Sequence, residues 1–193
     1  SAQTAMHHIL EAMTRWLAPI LSFTAEELWR NLPGERGPSV FLTTWYQGLF
    51  AVSDEEALNA AYWDRLIAVR EAVSKELEKL RVAGRIGSGL DAEIDLYSEG
   101  ELAADLGRIS DELRFFLITS YARIQPLAAK PDDATAVQID GQTLAIQVTP
   151  STHAKCVRCW HHREDVGHNA EHPELCGRCV DNAFGAGEAR RFA

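Results

Sequence analysis

The spacing of apolar residues predicts two helices near the start of the chain. Up to residue 32, apolar side chains recur every three or four positions, which is the period of one helix face. Pro19 should end or kink the first helix, because its ring removes a backbone donor. Thr24 and Glu27 have the spacing of a capping box, which predicts that the second helix begins there. The pair Pro33-Gly34 is expected to end it.

The longest apolar repeat predicts a helix between Ser53 and Gly84. Ser53 and Glu56 have the spacing of another capping box, and Gly84 suits the left-handed conformation that ends many helices. The opposite face carries charges of both signs, which indicates a solvent-exposed face. The apolar positions of this helix are Tyr62, Leu66, Val69, Val73, Leu77 and Leu80.

After the long helix the apolar period changes from about 3.6 residues to two. Alternation over 92–96 predicts a strand, 102–113 has helical spacing, and 116–124 is strand-like. Asp140-Gly141 lies between two alternating segments and is typical of a β-hairpin turn. The sequence therefore predicts an α+β fold, in which a helical bundle remnant precedes a small mixed region.

The four cysteines of the chain lie together near its end. Two CxxC pairs are separated by 16 residues, and two residues between paired cysteines allow both thiolates to face one ion. Four thiolates fill a tetrahedron and leave no position for a reactive water, so the metal is expected to be structural. The predicted ligands are Cys156, Cys159, Cys176 and Cys179.

Other roles for these cysteines are less consistent with the pattern. A disulfide scaffold is disfavoured because all four lie at one end of a 193-residue chain. A redox CxxC is expected at the start of a helix in a βαβ unit, and these pairs lie among Pro, Gly, His and Asn. Iron also suits a thiolate tetrahedron, so spacing leaves iron open. We expect one zinc per chain.

Composition narrows the function classes. The chain is 46% hydrophobic and 24% charged, with a formal net charge of −9, so it can bury a core. It has no apolar run of the roughly 20 residues that span a bilayer and no secretory leader. These two observations predict a cytoplasmic protein that does not bind a membrane. The acid excess disfavours a general nucleic-acid coat protein, so RNA contact requires a local patch. No GxSxG, HExxH or Walker pattern is present, so no catalytic residue is predicted.

Two dense motif clusters resemble one family. The C-terminal zinc ribbon of bacterial isoleucyl-tRNA synthetases is similar to Cys156-Val-Arg-Cys159-Trp160-His161, Asp165-Val166-Gly167, His172-Pro-Glu-Leu-Cys176-Gly-Arg-Cys179 and the ending Gly185 to Ala193. The anticodon-binding helical domain of the same enzymes resembles the segment 15–29. Glu112-Leu113-Arg114-Phe115 is also similar. The resemblance implies three parts: the end of the anticodon-binding domain (1–52), a long helix with an α+β region (53–150) and a zinc ribbon (151–193).

The resemblance also implies a function. The parent enzyme activates isoleucine with ATP and charges tRNA(Ile), and this part holds the anticodon arm. The class I signatures HIGH and KMSKS and an editing domain are absent here, so ATP is expected only in a separate catalytic domain. The expected partners are tRNA(Ile) and the catalytic and editing domains of the same chain, in a monomer. The residues expected to contact RNA are Arg158, Trp160, His161, Arg178, Arg190 and Arg191.

Two alternatives explain the cysteines. Formamidopyrimidine-DNA glycosylases end in a similar zinc ribbon that binds DNA, but they begin with a catalytic Pro, and this chain begins Ser1-Ala2. The second alternative is a zinc ribbon that only binds other proteins, which explains the cysteines but not the motif at 15–29.

Overall fold

The computed structural model describes residues 2–189, with the side chain of Ala2 left aside. Its contacts separate two compact units, one formed by 2–53 and the other by 54–189. None of the described helices is both long and apolar enough to cross a membrane.

The first unit contains two helices and a short 3₁₀ turn. α1 spans Ala2–Leu17 and α2 spans Ser22–Asn31, with the 3₁₀ turn at Val40–Leu42. Pro19 lies in the turn between the helices, as predicted. The predicted start at Thr24 is wrong: helical hydrogen bonding resumes directly after the turn, where the Leu21 carbonyl accepts from Ala25 at 2.8 Å. The N-cap position of α2 is Leu21, and no side-chain cap forms there among the described residues.

A cluster of charged side chains lies beside the small apolar core of this unit. Glu11 is only 4% exposed and accepts hydrogen bonds from Arg15, at 2.5 Å, and from Arg36. Both guanidinium groups lie over the ring of Trp29, at 4.8 Å and 4.7 Å from its centroid. The Trp29 indole N–H donates to the Gly37 carbonyl at 2.9 Å. The apolar members are Ala18, Ala25, Trp29, Leu32 and Val40.

The second unit begins with the long helix α3, Ala60–Val82. Asn59 caps it, because its side-chain oxygen accepts from the Tyr62 amide at 3.0 Å. The predicted start at Ser53 is therefore wrong by about two turns of helix. The predicted end is confirmed: Gly84 follows the helix with a φ of +68°.

A four-stranded sheet with the order β2-β1-β4-β3 forms the centre of this unit. β1 pairs with β2 in parallel and with β4 antiparallel, and β3 pairs with β4 antiparallel. Two short helices connect the parallel strands. The bounds are β1 Ala92–Ser98, α4 Gly100–Arg108, α5 Leu113–Leu117, β2 Tyr121–Pro126, β3 Thr135–Ile139 and β4 Gln142–Pro150.

This architecture confirms the α+β prediction, with two local differences. The helix predicted over 102–113 is divided into α4 and α5, and Ile118 ends α5 in the left-handed region with a φ of +57°. The strand predicted from residue 116 therefore begins at Tyr121. The hairpin is confirmed: Asp140 and Gly141 both have positive φ, +48° and +76°, as in a type I′ turn.

The two faces of the sheet differ in chemistry. One face packs against the helices in the main core, which includes Leu66, Val69, Val73, Ile94, Leu96, Leu102, Leu106, Leu113, Leu144 and Ile146. On the other face, Arg123 donates to Asp95 at 2.8 Å and 2.9 Å and to Glu93 at 2.7 Å. These ion pairs explain why Glu93 is tolerated at 8% exposure in a central strand.

Candidate metal centre in the C-terminal ribbon

The four predicted ligand atoms converge. The Sγ atoms of Cys156, Cys159, Cys176 and Cys179 all lie within 4.8 Å of one another, and no disulfide joins them. The Sγ atoms of Cys159 and Cys176 are 3.7 Å apart. A tetrahedral ion with metal–sulfur bonds of about 2.3 Å requires sulfur atoms about 3.8 Å apart. The donor set therefore fits a four-coordinate thiophilic ion such as zinc.

Each CxxC pair is presented by a different local structure. Cys156 and Cys159 lie on a tight turn, which the Trp160 amide closes by donating to the Cys156 carbonyl at 2.8 Å. Trp160 has a φ of +65°, which turns the chain sharply after the second cysteine. Cys176 is the N-cap of α6, Gly177–Phe184, and Cys179 lies in the first turn of that helix. A turn and a helix start thus aim two thiols each at one point.

Hydrogen-bond donors surround the sulfur atoms. The Cys176 amide lies 3.4 Å from the Cys156 sulfur, and the Arg158 guanidinium lies 3.6 Å from the Cys179 sulfur. Such donors stabilise thiolates, which are the forms that bind metal.

The thiols differ in acidity. Burial raises the pKa of Cys156, but the backbone amides of Cys159, Cys176 and Arg158 outweigh burial and lower this pKa to about 6. Burial raises the pKa of Cys159 and Cys176 above the ordinary value. Four thiolates close together repel one another, and a bound cation removes this repulsion. The site is therefore suited to a metal rather than to free thiols.

The ribbon also packs on the α+β region. The His162 amide donates to the Ser120 hydroxyl at 2.6 Å, and Lys155 lies 3.4 Å from the Asp91 carboxylate. The Phe115 ring of α5 meets the His161 ring edge-on, with centroids 5.6 Å apart. The ribbon therefore belongs to the second unit rather than forming a separate body.

The structure places the predicted RNA-contact residues in different environments. Arg158 and Trp160 are exposed on the first CxxC turn, and Trp160 is 62% exposed. His161 is 8% exposed, and its Nδ1 lies 3.1 Å from the Cys159 carbonyl oxygen. Arg178 donates to Glu188 at 2.8 Å and lies 4.8 Å from the centroid of the Phe115 ring. Arg190 and Arg191 lie outside the described residues.

Sequence reasoning missed two carboxylates that position the ribbon. Asp165 accepts from the Gly177 amide at 2.9 Å and so caps α6. Asp91 contacts both Lys155 and His162. The ribbon contacts of both carboxylates have no local sequence signal, because the ribbon partners are at least twelve residues away along the chain.

Two known families match separate parts of the chain. Residues 1–96 match the family described as "Anticodon-binding domain of tRNA ligase". Residues 155–182 match "Zinc finger found in FPG and IleRS". This zinc-finger match and the four neighbouring thiols together indicate a structural zinc site. Fold and site thus define an anticodon-binding and zinc-finger region of a tRNA ligase.

Curated relatives identify the kind of ligase. The isoleucine-tRNA ligase of Thioalkalivibrio sulfidiphilus is 61% identical over the whole chain, and that of Nitrosococcus oceani is 58% identical over the whole chain. For the isoleucine-tRNA ligase of Pseudomonas putida the identity is 55%, again over the whole chain. The chain spans 20% of the length of each. The chain is therefore similar, over its whole length, to one part of bacterial isoleucine-tRNA ligases. The predicted resemblance is confirmed, and a DNA glycosylase is not favoured.

Proposed function

We propose that this chain holds the anticodon arm of tRNA(Ile) within an isoleucine-tRNA ligase. The complete enzyme activates isoleucine with ATP, which binds in another domain, and transfers the amino acid to tRNA in the cytoplasm. The observation that supports this proposal best is the joint match of an anticodon-binding domain and a zinc finger, shared with isoleucine-tRNA ligases over the whole chain. The division into 1–52, 53–150 and 151–193 is part of the proposal.

The metal has a structural role in this proposal. Cys156, Cys159, Cys176 and Cys179 hold one zinc ion per chain. A zinc ion bound by four thiolates fixes the two CxxC segments relative to each other and has no position left for a reactive water. Its contribution to function is to shape the surface of the ribbon.

The first CxxC turn carries the two residues best placed to contact RNA. Arg158 and Trp160 are both exposed, and only Cys159 separates them. An exposed indole can stack on an unpaired loop base, and a guanidinium can bind phosphate. The turn that holds two metal ligands therefore also carries an aromatic platform and a cation. For His161 and Arg178 the contacts described above support packing within the ribbon at least as well as RNA contact.

The exposed apolar stripe of α1 supports a larger parent chain. Its members are separated by three or four residues and are between 41% (Trp16) and 60% (Met6) exposed in this chain. Such a stripe is typical of a helix seam that another element covers. We propose that other segments of the ligase, including its catalytic and editing domains, cover it in a monomer. The stripe consists of Met6, Ile9, Met13 and Trp16.

Binding of tRNA tests the proposed function. The purified protein is titrated with tRNA(Ile) and with a tRNA of different anticodon over a range of salt concentrations. We expect Trp160→Ala to weaken binding of tRNA(Ile) by about 5- to 150-fold, which corresponds to about 1–3 kcal/mol for one stacked base. Arg158→Gln should reduce the slope of log affinity against log salt by about 1.

Val157→Ala is the matched control, because Val157 is 56% exposed on the same turn but carries no ring. Zinc content is measured for all variants, so that loss of the ribbon is distinguished from loss of an RNA contact. Equal affinity of the unmodified protein for both tRNAs at every salt concentration would contradict the anticodon role.

A further inference from the structure

A guanidinium of α5 lies near the contact between α5 and the ribbon and has no hydrogen-bond acceptor among the described residues. Arg114 belongs to α5 and lies 4.2 Å from the centroid of the Phe115 ring. Among the residues that the structure describes, its guanidinium has no hydrogen bond and no ion pair. Arg114 is also partly buried. A buried cation is costly unless an opposite charge or an acceptor compensates it.

The groups around Arg114 make this cost larger. Arg178 reaches the same Phe115 ring from the ribbon, and Arg163 lies over the neighbouring Tyr121 ring at 4.1 Å. Burial lowers the pKa of Arg114, and the charges of Arg163 and Arg178 lower it further. Arg178 is paired with Glu188, whereas within the described part of the chain the Arg163 guanidinium donates only to the carbonyl of Ser120, at 3.4 Å. The described residues therefore leave an excess of positive charge here.

The metal centre supplies the missing negative charge. One divalent ion and four thiolates carry a net charge of −2 (−4 + 2). Burial and neighbouring positive charges lower the pKa of Arg114 overall, and the sulfur atoms of Cys159 and Cys176 offset part of this lowering. His161 connects the two groups: its ring faces Phe115, and its Nδ1 contacts the Cys159 carbonyl.

We propose that Arg114 is a positioning residue that compensates the charge of the metal–thiolate centre from the α+β region, and thereby couples metal binding to the docking of the ribbon on α5. The inference rests on the proposed zinc site. It goes beyond that site because it assigns a role in metal retention to a residue of the neighbouring region. Removal of the metal leaves Arg114 uncompensated, which weakens the contact between α5 and the ribbon.

The zinc affinity of Arg114 variants tests the inference. Zinc binding by the purified protein is measured in competition with a chromophoric chelator, with Cys176→Ser as the blank for zinc bound elsewhere. We expect Arg114→Gln to weaken zinc binding about 10-fold or more, as for other residues that support metal ligands. Arg114→Lys keeps the positive charge but not the planar group, so, if charge compensation is what matters, zinc affinity should stay within about threefold.

Arg70→Gln is the matched control. Arg70 is exposed, and its guanidinium lies 5.7 Å from the centroid of the ring of Phe116, the residue after Phe115. Its variant should bind zinc like the unmodified protein. Circular dichroism confirms that each variant is folded.

Hydrogen exchange provides a second measurement that needs no variant. Removing zinc from the unmodified protein should lower the protection of amides in 113–121, which includes α5. Unchanged protection, unchanged zinc affinity in Arg114→Gln, or equal losses in Arg114→Gln and Arg114→Lys would overturn the inference. So would an Arg114→Gln protein that retains zinc normally but loses tRNA affinity, because Arg114 would then act on RNA. If the unmodified protein itself bound no zinc at the ribbon, the zinc proposal would fail instead.

Discussion

The imidazole of His162 lies 3.3 Å from the carboxylate of Asp91, and this contact joins two residues that are 71 positions apart. The other oxygen of Asp91 accepts from the amides of Gly87 and Ser88, at 3.0 Å and 2.8 Å. One carboxylate therefore closes the connection before β1 and also contacts the ribbon. This arrangement makes Asp91 a structural junction of the second unit.

Replacing Asp91 should destabilise this unit. Asp91→Ala leaves two amides of the connection without an acceptor and removes the ribbon contacts, so we expect a loss of about 2 kcal/mol in the free energy of unfolding. Chemical denaturation measures the loss. Asp132→Ala is the control, because Asp132 is exposed, and a change within about 0.5 kcal/mol is expected there. Equal stabilities of the two variants would refute the junction role.

Replacing Cys176 should remove the metal without unfolding the first unit. Cys176→Ser deletes a ligand whose sulfur is 3.7 Å from that of Cys159, so we expect zinc content to fall from about one ion per chain to almost none. Elemental analysis measures this loss. The helices near 5–83 should remain folded, because none of them carries a ligand. A global loss of helical circular dichroism would contradict this expectation.

Acid should weaken the first unit through Glu11. Burial raises the pKa of Glu11, but hydrogen bonds and charges from Arg36 and Arg15 outweigh it and lower this pKa to about 2, from 4.5. Since the folded-state pKa is depressed, the stabilisation is complete above about pH 4.5. It is lost as pH falls from about 4.5 to about 2.

The Glu11→Gln variant isolates this effect. It removes the charge and should destabilise the unit by about 2–3 kcal/mol at neutral pH. Thermal unfolding between pH 7 and pH 2 should show a flatter pH dependence in the variant than in the unmodified protein. If both proteins lost stability in parallel below pH 4.5, another carboxylate would be responsible.

The substitution of glycine by alanine can be compared at two positions, Gly141 in the hairpin turn and Gly107 in α4. Gly141 has a φ of +76°, which alanine adopts only with strain, so Gly141→Ala should destabilise the protein by about 1 kcal/mol. Gly107 lies in α4, and an added methyl group meets no atom within 4 Å. Gly107→Ala should therefore stabilise it by about 0.5–1 kcal/mol. Thermal denaturation measures the change in stability of both variants. If Gly107→Ala destabilised the protein as much as Gly141→Ala, the positive φ of Gly141 would not be the cause.

Features that depend on neighbouring residues were predictable from the sequence. The CxxC spacing placed four sulfur atoms within 4.8 Å, because each pair lies on a short turn or helix start. Asp140-Gly141 produced the expected hairpin, since both residues tolerate positive φ. Gly84 ended α3 for the same reason.

Helix starts were less predictable. Thr24 and Ser53 have capping-box spacing, but α2 begins at Ser22 and α3 is capped by Asn59. A cap contributes only about 1 kcal/mol, so tertiary packing can select another starting residue. The spacing of apolar residues therefore located the helices but not the residues at which they begin.

The sequence by itself determined which four cysteines come together, the family resemblance and the turn chemistry, because these depend on residue type and short spacing. Only the tertiary structure decided that the ribbon packs on α5, that His161 is buried, and that Arg114 lies at the interface. These contacts join residues that are distant along the chain. Their formation depends on how burial, charge and hydrogen bonding balance in the folded protein, and no local pattern of residues encodes that balance.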